Sequence, residues 1–190
     1  MSLARHPPPM MLAEFLAWEE RQELRYEFDG FAPVAMTGGT RAHETIQINL
    51  LTALANRLRG GPCRVYGSNL KVEVAGRIRY PDAFVTWGEP GAPSDTVERS
   101  PVVVFEILSE STQTVDRTDK AREYRETPSV RRYVMIEQVR AAATVYAREG
   151  ESWSVSLFFR GDVLPMPEIG AEFPLDELYA GLVLDEPPAA

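Results

Sequence analysis

At 190 residues, with 44% apolar and 25% charged residues, the chain is long enough for one sizeable core and short for two. A single cysteine, Cys63, excludes an intrachain disulfide and a multi-cysteine zinc site, so a reducing, cytoplasmic setting is expected. The net charge of −8 argues against indiscriminate adhesion to nucleic acid, and no apolar run is long enough to span a bilayer.

Residues 1–10 and 185–190 are Pro-rich and are expected to be flexible ends around a single domain, 11–184. From Met11 onward, Leu12, Phe15, Leu16 and Leu24 predict a short amphipathic helix. In YEFDGF, Asp29-Gly30 lies between apolar runs and signals a hairpin. The clearest helix is RAHETIQINLLTALANRLRGG. There Ile46, Leu50, Leu51, Leu54 and Leu58 share one face, and Gly60-Gly61 ends the pattern.

Strands are expected over 64–66, 70–74, 77–80 and 83–87, followed by a loop over 88–100. VVVFEIL, residues 102–108, reads as a central strand covered on both faces. A helix is predicted from Asp116 to Glu126, stopped by Pro128. Strands over 133–136, 143–148 and 154–159 follow, and PLDELYAGL predicts a last short helix. The order implies a mixed α/β domain around one sheet.

Charge is unevenly spread. Arg57, Arg59, Arg64, Lys71, Arg77 and Arg79 fall in a stretch whose one acid is Glu73, whereas the chain beyond Glu137 is acid-rich. Such asymmetry suggests an anionic partner for one face, or else a solvated charged surface.

Glu106 interrupts the apolar run 102–108. A buried carboxylate is costly unless it is paired, hydrogen-bonded or metal-bound. Asp82, after Pro81, stands at the junction of two strand-like segments, and strands joined by one loop commonly pair. Asp82 and Glu106 are therefore expected side by side. Two such carboxylates repel unless a cation lies between them, and Mg²⁺ takes one or two carboxylates with water filling the rest. Pairing of Glu106 with an arginine, and a plain turn role for Asp82, are the alternatives.

These residues carry a resemblance. EFLAWEE, YEFDG, RAHE, YPDAFV, VVVFEILSEST and DRTDKAREYRETPSVRRYVMIE, in this order, resemble the PD-(D/E)xK nuclease superfamily. Within it, the chain is similar to the Uma-two type of restriction-endonuclease-related proteins over most of its length. The resemblance implies a restriction-endonuclease-like core, an α/β (α+β) fold with a mixed sheet flanked by helices. It also implies Mg²⁺- or Mn²⁺-dependent cleavage of phosphodiester bonds. Carried over, it gives Asp82 and Glu106 to the metal, with the carbonyl of Ile107 as a further ligand and Glu27 assisting.

The sequence departs from the superfamily at Leu108, where the motif has lysine. Lys120, on the following helix, is the candidate replacement. Arg117, Lys120 and Tyr124 fall near one helical face, which supports the move. A simple ion pair of Lys120 with Asp116 is the alternative. His43, in the first turn of the long helix, is a further candidate. The reading is thus a DNA endonuclease, expected as a homodimer, with Arg57, Arg59, Arg64, Lys71, Arg77, Arg79 and Arg117 as phosphate contacts. The competing expectation is a catalytically inactive binding module with the same fold.

Overall fold

The structure, a computed structural model, describes residues 9–36, 38–109 and 116–184, with the backbone alone at 116 and 117. Of the expected flexible ends, 1–10 and 185–190, residues 1–8 and 185–190 lie outside the described residues. So does the side chain of Arg117.

In chain order the elements begin with helix α1 (Leu12–Glu19) and the hairpin β1 (Tyr26–Phe28) and β2 (Pro33–Ala35). Asp29 shapes this hairpin, because its Oδ1 accepts the N–H groups of Phe31 and Ala32 at 2.8 and 2.7 Å. Helix α2 (Arg41–Leu58) follows, then β3 (Cys63–Gly67), β4 (Lys71–Val74), β5 (Arg77–Arg79) and β6 (Ala83–Trp87). After β7 (Val97–Glu98) and β8 (Pro101–Leu108), a π-helical turn (Asp116–Lys120) runs into α3 (Ala121–Glu126). The chain continues through β9 (Arg132–Glu137), β10 (Ala142–Glu149), β11 (Ser152–Phe159), β12 (Val163–Met166) and β13 (Ala171–Pro174), and reaches a 3₁₀ turn (Leu175–Tyr179).

The strands do not form the one sheet expected. They divide into a five-stranded sheet (β2-β1-β5-β4-β7), a six-stranded sheet (β11-β10-β9-β8-β6-β3) and a β12-β13 ribbon. β8 is central in the six-stranded sheet, parallel to β9 and antiparallel to β6. One face of β8 (Val103, Phe105, Ile107) packs on Ile46, Leu50 and Leu54 of α2 and on Phe173, Leu175 and Leu178. The other (Val104, Leu108) packs on Ala121 and Tyr124 of α3 and on Val72 and Val74. Each fully buried side chain of this size contributes roughly 1.5–3 kcal/mol, so both faces are firmly held. Strand alternation puts Glu106 between Val104 and Leu108, on the α3 face.

α2 starts where Thr40 accepts the His43 N–H at 3.1 Å and ends before Gly60, whose φ is +80°. This start fixes where the first turn of α2, and with it His43, meets the end of β6.

Candidate active site

The site forms where β6 stops and β8 continues. The β6–β8 ladder runs to Ala83 opposite Phe105. Asp82 immediately precedes Ala83, Glu106 immediately follows Phe105, and both side chains line one cleft. No backbone pairs with β8 there from β6. Instead the Ile107 N–H donates to Asp82 Oδ2 at 2.7 Å. In a strand a residue's N–H and C=O point the same way, so the Ile107 carbonyl opens toward the same edge.

Glu106 is buried and compensated from α3 and from the π-helical turn before it. Its Oε1 accepts from Tyr124 OH at 2.9 Å and from Lys120 Nζ at 3.2 Å. Lys120 also lies 3.1 Å from Glu27 Oε1. The side chain of Asp116, the alternative partner, lies outside the described residues, and no lysine stands at position 108. Leu108 is instead core.

A second layer holds these groups in place. Arg79, 3% exposed, gives Nε and Nη2 to Glu123 at 2.7 and 2.8 Å and Nη1 to Glu27 at 3.2 Å. The Tyr80 N–H reaches Glu27 Oε1 at 3.1 Å. His43 Nε2 is 3.2 Å from Asp82 Oδ1, and Gln47, one turn later on α2, donates to the Asp82 carbonyl at 2.8 Å.

Burial pushes the Glu27 carboxyl up, but the Lys120 and Arg79 charges and the Tyr80 N–H outweigh it and leave its pKa below the ordinary 4.5. Burial and then the neighbouring Glu106 charge hold the Tyr124 hydroxyl well above its ordinary value, so it stays a donor. Burial alone would lower the Arg79 pKa, but Glu123 and Glu27 more than reverse this, and Arg79 stays charged.

Glu27, Asp82, Glu106, Ile107, Lys120 and His43 all line one cleft of about 550 Å³, with Arg25, Glu44 and Gln47. Tyr124 supports it from beneath. Among the described residues, no three or more His, Cys, Asp and Glu side chains form a ready cage for a metal. Asp82, Glu106 and Ile107 share this cleft, and carboxylate and carbonyl oxygens are the donor type that a hard cation such as Mg²⁺ or Mn²⁺ takes with water filling the rest.

The basic stretch behaves differently from the expectation. Lys71 and Arg79 are buried, Lys71 against Glu19 at 2.6 Å and Arg79 against Glu123, so neither has a charge to offer phosphate. Arg57 binds Glu177 through both terminal nitrogens, at 3.0 and 2.6 Å, and clamps the 3₁₀ turn to α2. Arg59 and Arg64 line a second cavity at the opposite end of α2. At 1.5 Å per residue that end is roughly 24 Å from His43. Arg77 turns to the Asp29 carbonyl at 3.0 Å and to Glu123 at 3.1 Å. Folding therefore disperses what the sequence clusters. Sequence reasoning also missed Gln47, Arg79 as a site support, and Glu123. Gln47 had a signal, since it lies four residues after His43, on the stripe that continues through Leu50 and Leu54.

The model of a family described as "Putative restriction endonuclease", Uma2, matches residues 12–176. The chain belongs to the Uma2 family. An uncharacterized Synechocystis protein, slr1290, is 32% identical over 178 residues, 92% of this chain and 94% of that one. A second uncharacterized Synechocystis protein, sll1609, is 25% identical over 143 residues, 73% of this chain and 81% of its own. Among solved structures, the chain is similar to one from Anabaena variabilis titled a "putative nuclease belonging to DUF820". The TM-score is 0.75 at 16% identity, over 90% of this chain and 98% of that one. That likeness shows the fold, which is restriction-endonuclease-like in this Uma2 chain as expected. No helix among the described residues is long and apolar enough to cross a membrane.

Proposed function

We propose that this Uma2 protein is a Mg²⁺- or Mn²⁺-dependent endonuclease that hydrolyses phosphodiester bonds in DNA, acting as a cytoplasmic homodimer. The observation that carries this reading is the convergence of Asp82, Glu106 and Lys120 on one cleft, with Lys120 Nζ 3.2 Å from Glu106 Oε1. Asp82, Glu106 and the Ile107 carbonyl would hold the cation. When bound, the cation supplies Lewis-acid charge and a more acidic water.

The chain's own residues do the rest. The Ile107 N–H and His43 fix the two oxygens of Asp82. Tyr124, held protonated, fixes Glu106. Lys120 offers an ammonium where negative charge grows on the phosphate in the transition state, and it positions the attacking water. Glu27, ionised, keeps Lys120 charged and aimed. Two strands and one site per chain favour a two-fold dimer.

A second reading, a binding module that has lost turnover, has its own observation. Acids outnumber bases around the cleft, with Glu27, Glu44, Asp82 and Glu106 against Arg25 and Lys120. The deciding experiment is cleavage of supercoiled and linear DNA with Mg²⁺ or Mn²⁺ over a salt series, wild type beside Asp82→Ala. It is run with the shift in melting temperature on adding metal. Metal-dependent cleavage that vanishes in the variant is the expected result. No cleavage and no metal-induced shift would sink the nuclease reading.

A further inference from the structure

We infer that β11 is a self-association surface, on which a second copy of this chain pairs edge to edge as an antiparallel strand. This names the surface for the dimer in the reading above and is independent of its chemistry.

β11 is the outer strand of the six-stranded sheet. Its residues, SWSVSLFF, include no charge, proline or glycine. Natural edge strands are ordinarily shielded by such residues, by bulges or by a covering element. Among the described residues no strand lies beyond β11, and Val155, Leu157 and Phe159 are 56%, 62% and 51% exposed.

The hairpin decides which backbone groups look outward. β10 and β11 are joined by Gly150-Glu151, with Glu149 opposite Ser152. The pair that flanks a two-residue loop is hydrogen-bonded, and bonded and non-bonded pairs then alternate. Ser152, Ser154, Ser156 and Phe158 therefore direct N–H and C=O at β10. Trp153, Val155, Leu157 and Phe159 direct theirs away from the sheet. Two bonds agree with this phase. Arg148, opposite Trp153, turns its N–H to the Arg131 carbonyl at 2.8 Å, and Phe159 donates outward to Asp162 Oδ2 at 2.7 Å. The Phe159 carbonyl is also taken, by the Asp162 N–H at 2.9 Å. Trp153, Val155 and Leu157 remain as the outward-facing backbone units.

A second copy matches these three without remainder. Antiparallel pairing of identical edges is two-fold symmetric. An axis at Val155 sets Val155 against Val155 of the other copy, and Trp153 against its Leu157 in both directions. Each is a pair of the type that exchanges two hydrogen bonds. All three side chains share one face, so the same register builds an apolar ladder across the junction. It also lays Arg160 of one chain at the Glu149-Gly150-Glu151 turn of the other, cation against acids. An axis at Ser156 would instead set Trp153 against Phe159, whose backbone is already bonded.

Sedimentation velocity of the full chain over a micromolar concentration series tests this, with Val155→Lys beside the wild type. The substitution is on an exposed side chain and sets two ammonium groups against each other at the axis. The expected result is a concentration-dependent dimer for wild type and its loss in Val155→Lys, with an unchanged circular dichroism spectrum. Cysteine fixes the register. Two Val155→Cys thiols meet at the axis, within disulfide reach. Two Leu157→Cys thiols lie roughly 13 Å apart along the strands. On oxidation the first variant cross-links and the second does not. A wild type that is monomeric throughout, a dimer untouched by Val155→Lys, or cross-linking through Leu157→Cys alone would overturn the proposal. None of these readouts involves DNA cleavage, so failure here and failure of the nuclease chemistry are told apart.

Discussion

On one face of β5, Glu19, Lys71 and Tyr80 close a compact set of contacts. Lys71 Nζ meets Glu19 at 2.6 Å and Tyr80 OH donates to the other Glu19 oxygen at 2.8 Å. On the opposite face, Arg79 begins a chain of contacts through Glu123 and Glu27 to Lys120 and Glu106, and that chain ends in the cleft. Tyr80 and Arg79 are adjacent in sequence and so turn to opposite faces. Both clusters are buried and both are hydrogen-bonded. They differ in balance. The first sets one carboxylate against one ammonium and is satisfied internally. Among the described residues the second sets Glu27, Asp82, Glu106 and Glu123 against Lys120, Arg79 and the half-buried Arg77, an excess of negative charge at the end that faces solvent. Burial and pairing are thus common to a structural tie and a reactive site. The surplus charge beside an open cavity is what separates them.

This contrast can be broken by substitution. The largest expected effect is on stability, from Glu123→Ala. It strips the bidentate partner from a buried guanidinium, and loss of one member of a buried pair costs about 3–5 kcal/mol, read by urea unfolding. Next, Lys120→Ala is expected to lower cleavage by on the order of 10²–10³-fold while leaving DNA affinity nearly unchanged, read by single-turnover kinetics beside a binding titration. Glu19→Gln is the matched control. It keeps one acceptor for Tyr80, is expected to cost roughly 1–3 kcal/mol of stability, and leaves the cleavage rate of the folded protein intact. A Glu19→Gln protein that folds but has lost turnover would erase the distinction between the clusters.

The smallest effect is on acid stability. Because the Glu27 pKa is held below its ordinary 4.5, its ionised form stabilises the fold above that pH. That contribution declines as pH falls through the lowered value. Glu27→Gln removes it, so unfolding free energy measured in small pH steps should fall less steeply over that window than in wild type. An identical slope would mean that Glu27 is not coupled to Lys120 and Arg79.

The long-range order of the molecule was legible where a period ran for several turns or a strand was continuous. α2 and β8 appear within a residue or two of expectation, because the stripe from Ile46 to Leu58 and the run from Val102 to Leu108 each admit one solution. The split into separate sheets was not legible. β7, β12 and β13 are two to four residues long, too short to show alternation. In the site, the nearness of Asp82 and Glu106 was expected from strand order, and Lys120 from the resemblance, with helical spacing only in support. The Arg79–Glu123 pair and the fate of Lys71 did not, because a basic residue looks the same in sequence whether its partner is a phosphate or a buried carboxylate far along the chain.

The end of β6 at Ala83 has a consequence for how this sequence can drift. The two site carboxylates are aligned by cross-strand register and not by the length of chain between them. The loop from Gly88 to Thr96, ahead of β7, can therefore lengthen or shorten without moving Asp82 relative to Glu106. Within β6 or β8 the rule is parity. A single residue gained or lost there turns one carboxylate to the wrong face, and a pair of residues restores it. A search for related sites is better posed as a free gap bounded by two strands of fixed phase than as a motif of fixed spacing.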